Sequence, residues 1–435
     1  MHTKELDVLF MQALLGILLP DKINIERRST LFNAAANVLD AAQSMLLFIA
    51  VTRICSAAEG GVFSISMAVA YQMVVIGRYG MRDFQATDIH GDFTFSTYFL
   101  SRIVTTLFMC TFIAGYIVFN GYSLEKASIM IAVCLYKAVD VWEDVYHGYY
   151  QRNGRLDGAA LSQTIRCGSS IALYITILLI TKDLFLSTCI SALYAMLVFV
   201  LLNKALRTAF SAPAFLHGQW AAVRKLLISC APLGLCAALA LFAINYPKYA
   251  IDSYLNDLSQ TYYGALSMPV FAANLFSISI YRPILLHMAR HWHSAQQPKL
   301  KQMIRRQLLF IAAITALSLI LGYLWGIPVL SFVYGIDLKE YRPALLILLA
   351  GGGMAAISGF MTSVISVMRL QKYLIPGYAA ALLVSVIAAA LLMQRAGVDG
   401  ASITFAVSML VLALMTGAVV FCAVARIGFS KEGAE

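Results

Sequence analysis

Between residues 31 and 425 the chain is a succession of apolar runs, each followed by a short polar break. The runs are about 20 residues long, the length at which a helix crosses a bilayer. They lack the roughly ten-residue alternation of a membrane strand, so the spans read as helices rather than a barrel. Twelve spans are predicted, at roughly 31–52, 61–81, 97–119, 124–147, 159–181, 184–204, 226–247, 263–285, 306–327, 342–367, 373–393 and 400–425. No break between them is long enough to hold a soluble domain. The expected fold class is an all-α polytopic membrane protein, with its function inside or across the bilayer.

Composition agrees: 60% of the 435 residues are hydrophobic and 12% charged, with a mean hydropathy of +0.78. The formal charge of +10 sits in short connections between spans, which argues against nucleic acid as a partner. Twenty-three lysines and arginines fall on the side of the N-terminus and seven on the other, so both termini are expected in the cytoplasm. The eight cysteines are scattered through apolar segments without a CxxC pair, and neither disulfides nor a metal site is implied. In "MHTKELDVLFMQALLGILLP" the apolar run is too short to span and no cleavage site follows. Leu6, Leu9, Phe10, Ala13, Leu14 and Ile17 share helical spacing, which suits a helix on the membrane surface, with a misassigned start as the alternative.

The longest cytoplasmic link, "NKALRTAFSAPAFLHGQWAAVRKL", follows the sixth span and divides the chain into halves. The expected layout is an N-terminal segment 1–30, a bundle 31–205, a linker 206–225, a second bundle 226–425 and a tail 426–435. The halves carry faint echoes of each other: a cation near the outer end of the first span (Arg53, Lys248), a Ser-Met pair in the second (Ser66-Met67, Ser267-Met268), then Arg78 and Arg282. Matching positions in two halves are what a repeat-built transporter carries.

Ionisable residues inside spans cost about 3 kcal/mol each on insertion scales and call for a reason. Asp40 lies mid-span in "NAAANVLDAAQS", on a stripe with Asn33 and Asn37 and with no local partner. The fourth span, "YKAVDVWEDVYHGYY", carries Lys137, Asp140, Glu143 and Asp144, and Lys137 can pair with Asp140 at i,i+3. Pro247, before Lys248, is expected to kink or unwind the seventh span. Gly351, Gly352 and Gly353 should allow the tenth span to pack closely or bend. His287, His291 and His293 have no neighbouring carboxylate or thiolate and read as interfacial. No nucleophile elbow, phosphate loop or catalytic carboxylate pair occurs, so neither enzymatic activity nor a cofactor is expected.

Three segments carry a resemblance. "AVTRICSAAEGGVFSISMAVAYQMVVIGRYGMRDFQATD" resembles the first two spans of bacterial polysaccharide flippases, "YYQRNGRLDGAALSQTIR" their loop after the fourth span, and "NYPKYAID" their seventh-span segment. These flippases belong to the multidrug/oligosaccharidyl-lipid/polysaccharide exporter superfamily. The resemblance implies two six-helix bundles related by a pseudo-two-fold axis, the V-shaped exporter fold, in the bacterial inner membrane. It implies a cargo of undecaprenyl-pyrophosphate-linked oligosaccharide moved to the outer leaflet by alternating access. A sugar-pyrophosphate headgroup needs a wet, cationic path, which nominates Arg53 and Lys248 near the outer end and Arg78 and Arg282 near the inner end, with Lys137 as a further candidate. Arg82 is assigned to topology. Within "QRNGRLD" a tight turn is expected, with Asp157 pairing to Arg155 or capping the next helix.

Asp40, Asp140 and Glu143 are candidates for carrying a proton or sodium ion. A polysaccharide polymerase and a chain-length regulator are candidate partners. A cation-coupled multidrug exporter of the same superfamily is the main alternative and would use Asp40, but the conspicuous charges at the membrane ends are basic. A polymerase or ligase would need a sizeable external loop, and none is predicted.

Overall fold

The computed structural model describes residues 11, 13–20, 24–88, 91–210, 220–294 and 296–432. The expected surface helix falls partly outside these residues; 13–18 are helical. The chain forms two compact units, Met1–Ala238 and Leu239–Glu435. The first contains α1 (Ile25–Ile54), α2 (Ala57–Arg78), the short α3 (Met81–Thr87), α4 (Phe95–Asn120), α5 (Leu124–Arg152), α6 (Leu156–Thr181) and α7 (Leu184–Thr208). The boundary between the units falls inside α8 (Trp220–Tyr254). The second unit continues with α9 (Asp257–His293), α10 (Gln297–Leu321), a π-helical turn Gly322–Gly326, α11 (Ile327–Tyr334), α12 (Arg342–Val367) and α13 (Leu374–Glu432). Gly397, at φ 53° and ψ −126°, breaks α13 in two, so each of the twelve predicted spans has its own helical stretch. Nine stretches among the described residues are long and apolar enough to cross a membrane, and the protein is a multi-pass membrane protein.

Polar residues mark where these helices begin. Asn24, Thr94, Ser123, Asp183 and Asn256 each accept a hydrogen bond from a backbone N–H of the first turn that has no partner within the helix. Ser56 and Glu59 form a reciprocal cap at the start of α2. The α1–α2 and α8–α9 connections are built alike: one helix ends, a single residue follows, then an N-cap (Ser56 or Asn256) starts the next. This shared connector corrects the expected match between halves. Arg53 is one residue from the end of its helix, whereas Lys248 is six residues from Tyr254, about 7.5 Å deeper along the axis.

Two other expectations change. Pro247 does not unwind α8, which runs on to Tyr254; proline removes one ladder bond, and opening more would cost several kcal/mol each in lipid. The triple glycine leaves α12 continuous and serves close packing on three sides. A Cβ on Gly351 would lie 2.9 Å from the Ala406 backbone, one on Gly352 2.6 Å from Val270, and one on Gly353 2.5 Å from Thr315.

Candidate functional site

The core of the first unit is ionic, and α5 supplies most of it. Lys137, Asp140, Glu143, Asp144 and His147 recur every three or four residues, which stacks them on one side of the helix. All five are buried. Their partners come from four other helices. Lys137 pairs with Asp140 as expected, and its Nζ also reaches Asp40 of α1 at 3.1 Å and Gln43 at 2.9 Å, 4.8 Å above the Tyr71 ring. The partner that sequence spacing failed to show for Asp40 is therefore Lys137, 97 positions away.

Arg166 of α6 bridges two carboxylates, donating to Asp140 Oδ1 at 2.6 Å and to Glu143 Oε2 at 2.6 and 3.1 Å. Arg102 of α4 donates to Asp144 Oδ2 at 2.7 Å and to the Gly77 carbonyl, which Thr105 also reaches at 2.7 Å. Arg78, the last residue of α2, lies 3.8 Å from Asp144. Four cations (Arg78, Arg102, Lys137, Arg166) thus face four carboxylates (Asp40, Asp140, Glu143, Asp144), and the cluster is electroneutral. Two members reach solvent: the Arg78 side chain is 37% exposed and that of Asp40 28%, against 1% for Lys137.

The predicted binding residues divide accordingly. Lys137 is consumed by the cluster, and Arg78 sits at its rim. Asp140 and Glu143 are paired, and Asp40 is paired but reachable. Arg53 is exposed in the last turn of α1. Arg82 lies in α3, its Nη2 3.4 Å from Gln151 Oε1. The turn "QRNGRLD" is present, with Arg155 gripping Asp157 at 3.0 and 3.2 Å and Arg28 adding a third contact at 3.6 Å. The side chains of Arg282 and His293 lie outside the described residues.

Lys248, in the second unit, is different. It is 8% exposed, and no carboxylate pairs with it among the described residues. Its Nζ lies 5.6 Å from the Phe271 ring centroid, and a cavity of about 10 Å³ beside it is bordered by Asn245, Tyr263 and Ser267. That is room for one water-sized group.

The residue that sequence reading misses is Arg166, which the count of basic residues groups with the cytoplasmic loop. It lies ten residues into α6, fully buried. A signal was available, since four acids in and beside one span need more than a single lysine to offset them.

The chain has the fold of the MOP superfamily: it superposes on "Lipid II flippase MurJ, inward closed conformation" with a TM-score of 0.67 at 13% identity, over 91% of this chain and 90% of that one. A single-residue mutant of the Vibrio cholerae MATE transporter VcmN gives 0.62 at 14% identity over 96% and 98%. A MOP superfamily transporter from Pyrococcus furiosus, described as having a binding pocket of reverse polarity, gives 0.58 at 15% over 95% and 98%. In sequence the chain is 21% identical over 329 residues to the capsular polysaccharide biosynthesis protein CapF of Staphylococcus aureus, 74% of this chain and 81% of that protein. No protein-family model matches. The fold that the resemblance implies is thereby borne out.

Proposed function

We propose that the protein is a flippase for lipid-linked oligosaccharide. It carries undecaprenyl-pyrophosphate glycan from the cytoplasmic to the outer leaflet of the bacterial inner membrane by alternating access, with both termini in the cytoplasm. The observation that carries this reading is the polarity of the interior. Each acid of the ionic cluster is held by a cation, while Lys248 is a buried cation with no acid among the described residues. A buried charge without a counterion is costly, and an anionic headgroup would relieve that cost during transport. The similarity to a capsular polysaccharide protein supports the same cargo class.

A multidrug exporter would present the opposite polarity, a free acid for a cationic drug. Asp40, partly exposed in the first span, is the feature that favours that second reading. The test is surface polysaccharide in a flippase-deleted strain at matched protein levels. Lys248→Ala should lower glycan display by about tenfold or more, the worth of one charge-assisted hydrogen bond, while Lys248→Arg retains part of it. Drug susceptibility that tracks the protein while glycan display does not would overturn the flippase reading.

A further inference from the structure

Of the polar stripe that the sequence places on α1, only Asp40 joins the ionic cluster. Asn33, Asn37, Asp40 and, one turn on, Ser44 fall within about 60° of one another around the helix and run for about 16 Å along it. Asn37 is exposed and the other three are half-buried. The two amides have no hydrogen-bond partner among the described residues. The exposed apolar side chains Leu31, Val38 and Leu46 lie on the other side of α1, where lipid suits them. Polar groups at membrane depth face protein or water rather than hydrocarbon, so the stripe borders a wet surface of the first unit.

The chemistry along the stripe suits neutral hydroxyl groups. Asp40 accepts from Lys137 through Oδ1 at 3.1 Å, which offsets the carboxylate's charge and fixes its orientation. Its Oδ2 accepts from nothing among the described residues and stays open to a ligand. Each asparagine adds two N–H donors and a carbonyl acceptor, and Ser44 adds a hydroxyl. Tyr71 of α2 borders the same place, its hydroxyl 3.5 Å from the Asp40 carbonyl. With Lys137 offsetting the one acid, the stripe offers hydrogen bonds with little net charge to draw a cation. A diphosphate would meet a carboxylate there. Sugar hydroxyls, each both donor and acceptor, match this set.

We propose that the Asn33–Ser44 stripe of α1 binds the sugar units of a lipid-linked cargo and selects among them. The proposal rests on the flippase reading and adds a separate site for the glycan. A sugar lacking or inverting a hydroxyl would leave Asp40 Oδ2 or an amide unpaired, the mismatch by which sites built for hydroxyls discriminate.

The test compares two probes on the full-length protein in lipid nanodiscs. One is lipid-linked oligosaccharide extracted from a strain whose surface glycan the chain restores; the other is bare undecaprenyl pyrophosphate. Wild type should bind the glycosylated probe more tightly. Asn33→Ala and Asn37→Ala should each weaken that binding by about fivefold, the worth of one hydrogen bond, and leave affinity for the bare carrier unchanged. Equal binding of both probes by wild type would overturn the sugar site and leave the flippase reading standing. So would variants that match wild type, or that lose both affinities alike, as a merely structural role requires. A chain that restores glycan in no strain would instead overturn the flippase reading, and the sugar site with it.

Discussion

Arg102 and Asp144 meet at 2.7 Å from two different helices, and the guanidinium is wholly shut from solvent. Removing one partner leaves a buried charge, at a cost of about 3–5 kcal/mol. Arg102→Met should therefore lower the thermal unfolding temperature sharply in detergent or lipid. Arg102→Met with Asp144→Leu should recover much of the loss. A double variant no more stable than the single one would mean the pair does not act as a unit.

Arg166 makes a different demand, because it holds two carboxylates at once. Lysine keeps the charge but lacks the planar fork. Arg166→Lys should fall between wild type and Arg166→Ala in thermal stability, closer to alanine. Equal stability of lysine and arginine here would show that charge alone suffices.

Lys248 should behave in the opposite sense. Its ammonium is buried without a counterion among the described residues, so Lys248→Met replaces a desolvated charge by an apolar chain of similar length. The expected result is a higher unfolding temperature together with loss of glycan display. Such a trade marks a residue retained for function. A destabilised Lys248→Met would place Lys248 among the structural residues.

The loop after α3 gives a pH test outside the membrane. Burial opposes the charge on Asp88, but hydrogen bonds from the backbone of Asp92 (2.8 Å) and Phe93 (3.1 Å), with Arg152 at 3.6 Å, hold its carboxyl below the usual carboxylate range. A carboxyl lowered on folding stabilises above its unfolded value of about 3.9, and that contribution is lost as pH falls through the folded value. Amide exchange at residues 91–94 should accelerate in that acid window. In Asp88→Asn it should be fast at neutral pH and change less with acid. Equal pH dependence in both proteins would remove Asp88 from the loop's stability.

Gly351 leaves no room for a side chain, since an added Cβ would lie 2.9 Å from the Ala406 backbone. Gly351→Ala should cost about 1–3 kcal/mol by overpacking, measured as a lower unfolding temperature. Gly115, with nothing within 4 Å, should accept alanine without such a loss.

The spans were legible because apolar run length is a local property, and even the break in α13 fell in the gap predicted between 393 and 400. The pair Lys137–Asp140 was legible for the same reason, being three residues apart. The contacts of Asp40 and Arg166 were not, since they join helices whose facing cannot be read from spacing within one segment. The repeat misled at Lys248, where similar residues suggested equal depth and the connector geometry shows otherwise. The π-helical turn at Gly322–Gly326 went unread too. Its two glycines press on Leu349 and Leu345, a packing reason invisible to hydropathy.

The ionic face of α5 also bears on biogenesis. Alone among its neighbours from α4 to α7, this helix is not apolar enough to cross a membrane by itself. Each interior charge opposes entry into lipid by about 3 kcal/mol on insertion scales, and α5 carries Lys137, Asp140, Glu143 and Asp144. The arginines that neutralise it arrive on both sides in the order of synthesis, Arg102 before it and Arg166 after. The interior charges of α4, α5 and α6 sum to zero, so the three together face a far smaller insertion penalty than α5 alone.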